Sequence, residues 1–281
     1  MDNMALTEVK GPSDIATKPR RRRYTARLVL LATQLGILVV LLTAWQFGVS
    51  DAAVPYFSRP SLVAVKLYSV FASGEIYRHI RVTLLEIAIG YSLGALFGLV
   101  LGFILGRSVF LSRALQPYII GFYSVPKIAL APVFIVWLGL GIASKVAVVF
   151  LSTFFLVFFN TYSGLITGNE ELVRLGRLMG ASWAYTIIRV ILPGAADQIF
   201  LGLKTAVPYA VIGAVIGEYI GSNEGLGFYI LYASQTYDAP ALFSGIIVLV
   251  VMVFIASCCL NWAERHLIRW RKAGRGQTVQ L

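Results

Sequence analysis

The chain has 281 residues, 58% hydrophobic and 13% charged, with a mean hydropathy of +0.79. A soluble domain carries about 25% charged residues, so the composition excludes an ordinary soluble fold and indicates one integral membrane domain. The formal net charge of +11 does not indicate nucleic-acid binding, because Lys and Arg gather at the chain ends and in polar breaks between apolar runs, as the positive-inside rule requires.

Six apolar stretches predict an all-α protein with about six transmembrane helices. They lie at about 28–47, 82–105, 114–140, 145–166, 198–220 and 242–261. A basic tail (1–27), with Arg20 to Arg23 at its end, precedes this membrane domain (28–262), and a second basic tail (263–281) follows it. The first stretch is too long for a signal-peptide core and long enough to span a bilayer. The basic segments place both termini in the cytoplasm, whereas the segments expected outside hold Arg59, Lys66, Arg78 and Arg81, with Lys145 at the edge. Residues 49–78 are expected outside, with a short amphipathic piece at 61–71.

The second stretch carries Gly90, Gly94, Gly98 and Gly102, with Gly106 just past its end. Glycine every fourth residue gives a helix a stripe without side chains, on which another helix packs closely. Gly90 to Gly94 also matches the serine-hydrolase pattern G-x-S-x-G. Ser92, however, lies in a helical pattern rather than a strand-to-helix turn, which excludes that chemistry. Glu86, in the same stretch, is a membrane-embedded acid for which Lys204 is a conceivable partner.

The third stretch is expected to be a span kinked at Pro117, Pro126 and Pro132. Lys127 follows Pro126, and an ionisable residue inside a span is a functional candidate; a lysine snorkelling near the cytoplasmic face is the alternative. Asn160 and Thr161 near the end of the fourth span are candidates for interhelical bonds. The fifth span carries Pro208 at its middle, Gly213, Gly217 and Gly221 at spacing four, and Glu218 near its outer end. Pro126, Lys127, Asn160, Pro208 and Glu218 are the candidate pathway or gate residues. Residues 220–240 are expected to be an external loop. Cys258 and Cys259 are adjacent on a helix and offer neither a disulfide framework nor metal spacing.

Residues 169–196, NEELVRLGRLMGASWAYTIIRVILPGAA, are too polar to span and too patterned for a plain loop. Glu170 and Glu171 open a helix at the favourable end of its dipole. Gly180 is expected to end it, Ser182 to cap the next piece, and Pro193 to close that piece. An amphipathic hairpin of this kind either lies on lipid or inserts its apolar ridge into a groove on a partner.

Here the chain resembles the permease subunits of bacterial binding-protein-dependent ABC importers. These carry E-A-A-x-x-x-G-x9-I-x-L-P in a cytoplasmic loop; the glycine falls on Gly180 and the end on Val190 to Pro193. Arg174, Leu175 and Gly176 stand where E-A-A is expected, a departure, with Glu170 and Glu171 one turn upstream. The segments Ser124 to Ala129, Trp137 to Gly141, Phe159 to Thr161, Glu218 and Glu224 to Gly227 are similar to the branch that serves nitrate, sulfonate, taurine and related small organic substrates.

The resemblance implies a multi-pass inner-membrane subunit of type I importer architecture, working as a homodimer. It implies two cytoplasmic ATP-binding subunits and an extracytoplasmic solute-binding protein. It also implies that the loop residues Glu170, Glu171, Arg174, Gly180, Ala181, Ser182, Leu192 and Pro193 couple the pore to the ATPase. The chain is then a transport subunit for a small anionic or polar organic solute, not an enzyme. It needs no cofactor of its own, ATP being bound by the partner; no phosphate-binding G-x-x-x-x-G-K-[ST] occurs in it. The alternative is a secondary carrier or channel without an ATPase, for which related halves are the usual signature; no clear repeat is present.

Overall fold

The computed structural model describes residues 20–166 and 170–267. Asn169, the basic residues before Arg20 and those beyond Leu267 lie outside the described residues.

Every regular element among the described residues is helical. In chain order they are α1 (Arg20–Gly48), α2 (Val54–Phe57), α3 (Pro60–Ser73), α4 (Glu75–Arg107), α5 (Val109–Ser124), α6 (Ala131–Leu138) and α7 (Ile142–Ile166). Then come α8 (Glu170–Leu178), α9 (Trp183–Thr186), α10 (Leu192–Gly221), α11 (Leu226–Gln235) and α12 (Ala239–Leu267). Five helical runs are long and apolar enough to cross a membrane: α1, α4, α7, α9 with α10, and α12. The hairpin α8–α9 marks one end of the bundle, called the hairpin end. The turns at 74, 139–141 and 222–225 mark the other, the turn end.

The expected third span is not one helix. It divides into α5 and α6, joined through extended Val125 and a 3-10 turn at Lys127–Leu130. Pro126 is the physical reason: it supplies no N–H and pushes the residue before it out of helical geometry. Only Pro117 sits inside a helix, because Pro132 falls in the first turn of α6, where no N–H is needed.

The core is a three-helix stack in which α4 and α10 both pack on α7. The glycine stripe sets the α4–α7 distance. A Cβ on Gly94 would lie 2.7 Å from the Phe150 carbonyl oxygen, and one on Gly98 would lie 2.8 Å from that of Phe154. Gly90, Gly102 and Gly106 meet Val149, Thr161 and Leu165 in the same way. On α10, Gly202 meets Asn160, and Gly213 and Gly217 meet Ser152 and Lys145. Tyr91 Oη donates to the Leu203 carbonyl at 2.8 Å, tying α4 to α10.

Around this stack lie α3, α11 and α12. With the start of α4 they share a buried cluster of Val70, Ile76, Leu226, Tyr229, Ala233, Ala241 and Val248 at the turn end. Helix α11 occupies the stretch expected to be loop; its ten residues are too short to register as a span. Helix α4 begins at Glu75, a full two turns earlier than expected. Helix α1 stands apart, with none of its membrane-length run buried. Among the described residues its end is attached: Trp45 donates to the Phe57 carbonyl at 3.2 Å, and Gln46 exchanges hydrogen bonds with Ser61.

One ion-pair expectation is corrected. Lys204 pairs with Glu264 of α12 at 2.5 Å, not with Glu86. Lys145 lies in the first turn of α7, at the turn end, and is 2% exposed; its ammonium bonds the carbonyls of Leu140 and Gly141 and closes the α6–α7 turn.

Candidate coupling and translocation sites

At the hairpin end, the chain reverses between α8 and α9 through two complementary caps. Gly180 has φ +78°, Gly180 N–H donates to the Arg177 carbonyl at 3.1 Å and Ala181 N–H to that of Gly176 at 2.9 Å. This pair of bonds is the glycine stop in which a left-handed residue satisfies the last helix carbonyls. Two residues later the Ser182 hydroxyl accepts from Tyr185 N–H at 3.3 Å, an N-cap for α9. Both expected devices are therefore present.

The expected stop at Pro193 is absent. The chain runs from α9 through a π-helical turn, Ile187–Ile191, directly into α10, with Pro193 in the first turn of that helix. Proline in a continuous α-helix loses a hydrogen bond and clashes with the preceding turn; one wider turn accommodates it. The hairpin is thus welded to a spanning helix rather than hinged from it. Val173, Ile187 and Ile191 pack with Leu165, Ala195, Phe103 and Ile199, so α8 and the π turn rest on the ends of α4, α7 and α10.

What the hairpin leaves uncovered is apolar. Leu178 is 79% exposed and Met179 85%, with Leu175, Trp183, Tyr185 and Ile188 also exposed. Glu171 and Arg174 are exposed beside them; Glu170 opens α8, and at the start of α10 Leu192 is exposed and Pro193 half-buried.

Midway along the bundle, the α5–α6 break carries Lys127. Its ammonium donates to the Tyr123 carbonyl at 3.3 Å and lies 4.4 Å from the centre of the Tyr123 ring and 5.3 Å from that of Phe155. Phe155 is near the middle of α7, so Lys127 does not snorkel to an end. Pro126 is exposed at the break. Pro208 faces outward from α10 beside exposed Tyr209 and Ile212. Asn160 bonds the Leu156 carbonyl of its own helix at 2.8 Å and packs on Gly202, and among the described residues it has no hydrogen-bond partner on another helix.

At the turn end, Glu218 is fully buried and organises a knot of backbone donors. Its Oε1 accepts from Thr83 Oγ1 at 2.6 Å and its Oε2 from Gly227 N–H at 2.5 Å. Thr83 Oγ1 accepts from Leu226 N–H at 2.8 Å, and His79 Nδ1 accepts from Gly225 N–H at 3.1 Å. Three successive amides at the start of α11, from its N-cap Gly225 to Gly227, are thereby held by α4 and α10. The Glu86 carboxyl meets that of Glu218, while its Oε2 has no partner. Glu86 and Lys145 line a cleft of about 340 Å³ with Ser222, Asn223 and Glu224. Glu224 forms an ion pair with Arg78, whose hydrogen bond holds its carboxyl below the usual range.

His79 and Thr83 were not singled out from the sequence, yet a signal for them exists. Residues 79, 83, 86 and 90 follow i, i+4, i+7, i+11 spacing, which makes them the polar continuation of the glycine stripe. The predicted residues therefore form not one site but three: a hairpin at one end, a charged break halfway, and an acid-centred clamp at the other end.

Comparison with known proteins fits these features. The family described as "Binding-protein-dependent transport system inner membrane component" matches residues 94–273. The formylaminopyrimidine transport permease protein ThiX of Halalkalibacterium halodurans is 33% identical over 235 residues, covering 83% of this chain and 94% of that protein. The putative aliphatic sulfonates transport permease protein SsuC of Bacillus subtilis is 30% identical over 264 residues, covering 93% and 94%. The taurine transport system permease protein TauC of Escherichia coli is 28% identical over 243 residues, covering 84% and 88%. Among solved structures, an inward-facing MetNI methionine ABC transporter shares the fold, with TM-score 0.59 and 20% identity over 69% of this chain and 94% of that one.

Proposed function

Since this chain belongs to the family of binding-protein-dependent transport system inner membrane components, a multi-pass permease by descent, we propose that it couples solute passage to a separate ATPase through the hairpin α8–α9. The observation that carries this reading is the hairpin itself. It is fixed by caps, welded to α10, seated on α4 and α7, and presents bare apolar side chains at its tip. An apolar helical ridge of this kind fits a groove on a partner protein.

Orientation follows from charge. The described ends of the chain, Arg20 on α1 and Arg265 on α12, share the hairpin end, and the positive-inside rule assigns that end to the cytoplasm. An ATP-binding subunit then meets Leu175, Leu178 and Met179, and a solute-binding protein meets the turn end. A second copy of the permease completes the pathway. The solute is small and anionic or polar organic, and the relatives, named for a pyrimidine, sulfonates and taurine, span that range.

The test is ATP-driven uptake in vesicles containing the permease, its neighbouring ATPase and its binding protein. Gly180→Val forces a branched side chain into a left-handed conformation. It is expected to abolish uptake and ATPase stimulation while the permease still inserts; unchanged uptake and stimulation would overturn the reading.

A further inference from the structure

We infer that Lys127 is the mid-membrane contact for the anionic group of the transported solute, with Tyr123 and Phe159, backed by the buried Phe155, forming the wall that receives its apolar body. This rests on the permease reading above.

Depth comes first. The ammonium lies over Phe155, and α7 extends from Ile142 to Ile166. At 1.5 Å per residue, Phe155 is about 20 Å from one end and about 17 Å from the other. A hydrocarbon core is about 30 Å thick, so the charge sits at its middle, too deep to reach either surface.

Its surroundings are neutral. Among the described residues the ion pairs are Arg59–Asp51, Lys66–Asp238, Arg78–Glu224 and Lys204–Glu264. Lys127 has only a long bond to one carbonyl and two ring faces. A carbonyl at the end of α5 and aromatic faces favour a cation, yet they leave two ammonium donors for a ligand.

The backbone agrees. Irregular backbone at membrane depth occurs where it is buried in protein or lines a water-filled path, and broken helices near the midplane form solute sites in transporters. Here the break is open on one side: Phe122, Tyr123 and Ser124 are exposed. The rings of Tyr123 and Phe159 meet edge-on at 4.9 Å and those of Tyr123 and Phe155 at 5.8 Å. A cation beside a cluster of aromatic edges and faces suits a short organic anion, a carboxylate or sulfonate on an apolar chain.

The test uses the permease–ATPase complex in phosphatidylcholine nanodiscs and three probes of one length, 1-butanesulfonate, 1-butanol and butylammonium, with binding read by saturation-transfer NMR. The sulfonate is expected to bind about tenfold or more tightly than either control, as a charge-assisted contact requires. Lys127→Gln should bring it down to the butanol level, and Lys127→Arg should keep it within about threefold of wild type. Equal binding of the three probes to wild type, or undiminished sulfonate binding to Lys127→Gln, would overturn the assignment. Should Lys127→Gln fail to assemble, wild-type selectivity alone decides. Co-purification of the ATPase, scored in the same preparations, reports separately on the permease reading.

Discussion

The Glu218 carboxylate occupies the space that a side chain at Gly225 would need. A Cβ there would fall on the carboxylate, and Gly225 has φ +107°, a region that L residues rarely adopt. Both constraints act on one turn, so Gly225→Ala is expected to cost roughly 2 kcal/mol or more, seen as a lower melting temperature of the purified permease. Thr83→Val is the complementary change: it removes the hydroxyl shared by Glu218 and Leu226 N–H, at about 1–3 kcal/mol. A melting temperature unchanged in both variants would show that the clamp does not hold the turn.

The α4–α7 approach gives a second prediction. Gly98→Val places carbon against the backbone of α7, and overpacking of this kind costs about 1–3 kcal/mol where neighbours can shift. Helix backbone shifts poorly, so little folded protein is expected in the membrane. Gly36→Val on α1, where a Cβ meets nothing within 4 Å, is expected to accumulate normally. Equal yields of the two variants would refute the packing role of the stripe.

Lys204 and Glu264 tie α10 to α12, with side chains 27% and 15% exposed. Breaking a fully buried pair costs ~3–5 kcal/mol; partial exposure reduces that here to roughly 2 kcal/mol. Lys204→Met should therefore lower thermal stability, and Lys204→Met with Glu264→Gln should recover part of the loss. No recovery in the double variant would mean that the two residues act independently.

Asp238 gives a pH dependence. Burial raises its carboxyl, but hydrogen bonds from Lys66 at 2.7 Å and from Ala241 N–H outweigh this, and the net shift is downward. A carboxyl lowered on folding stabilises above its unfolded value, about 3.9, and that contribution is lost as pH falls through the folded value. From pH 6 to 8 the tie of α3 to the start of α12 should be constant. Asp238→Asn should lower the melting temperature at pH 7 and flatten its decline below about pH 4. A wild-type decline between pH 6 and 8 attributable to this pair would contradict the assignment.

Much of this architecture was legible because it is local. Glycine at every fourth residue states a close helix contact whatever the partner, and the structure supplied α7. Gly180 and Ser182 announced their caps because a left-handed stop and a hydroxyl cap depend on one residue each. Pro193 misled because proline ends a helix when it lies inside one but opens a helix when it lies in the first turn; the π turn at 187–191 decided between these, and nothing local encodes it. Pro126 marked the break, yet its depth depends on where α7 runs beside it. Helix α11 is apolar but short, and no periodicity separates such a segment from a loop. His79 and Thr83 owe their roles to a turn about 145 residues away in sequence, a distance no local pattern spans.

The proposed grip of an ATPase subunit on the hairpin between α8 and α9 is open to a single crosslink. The most direct measurement replaces Cys258 and Cys259 by serine, places one cysteine at Met179, and couples it by a short photocrosslinker in membranes containing the whole transporter. A covalent product of permease and ATPase subunit is expected, with a yield that changes when ATP is added. A cysteine at Met179 that labels freely with a small maleimide, yet gives no ATPase adduct with or without ATP, would contradict it.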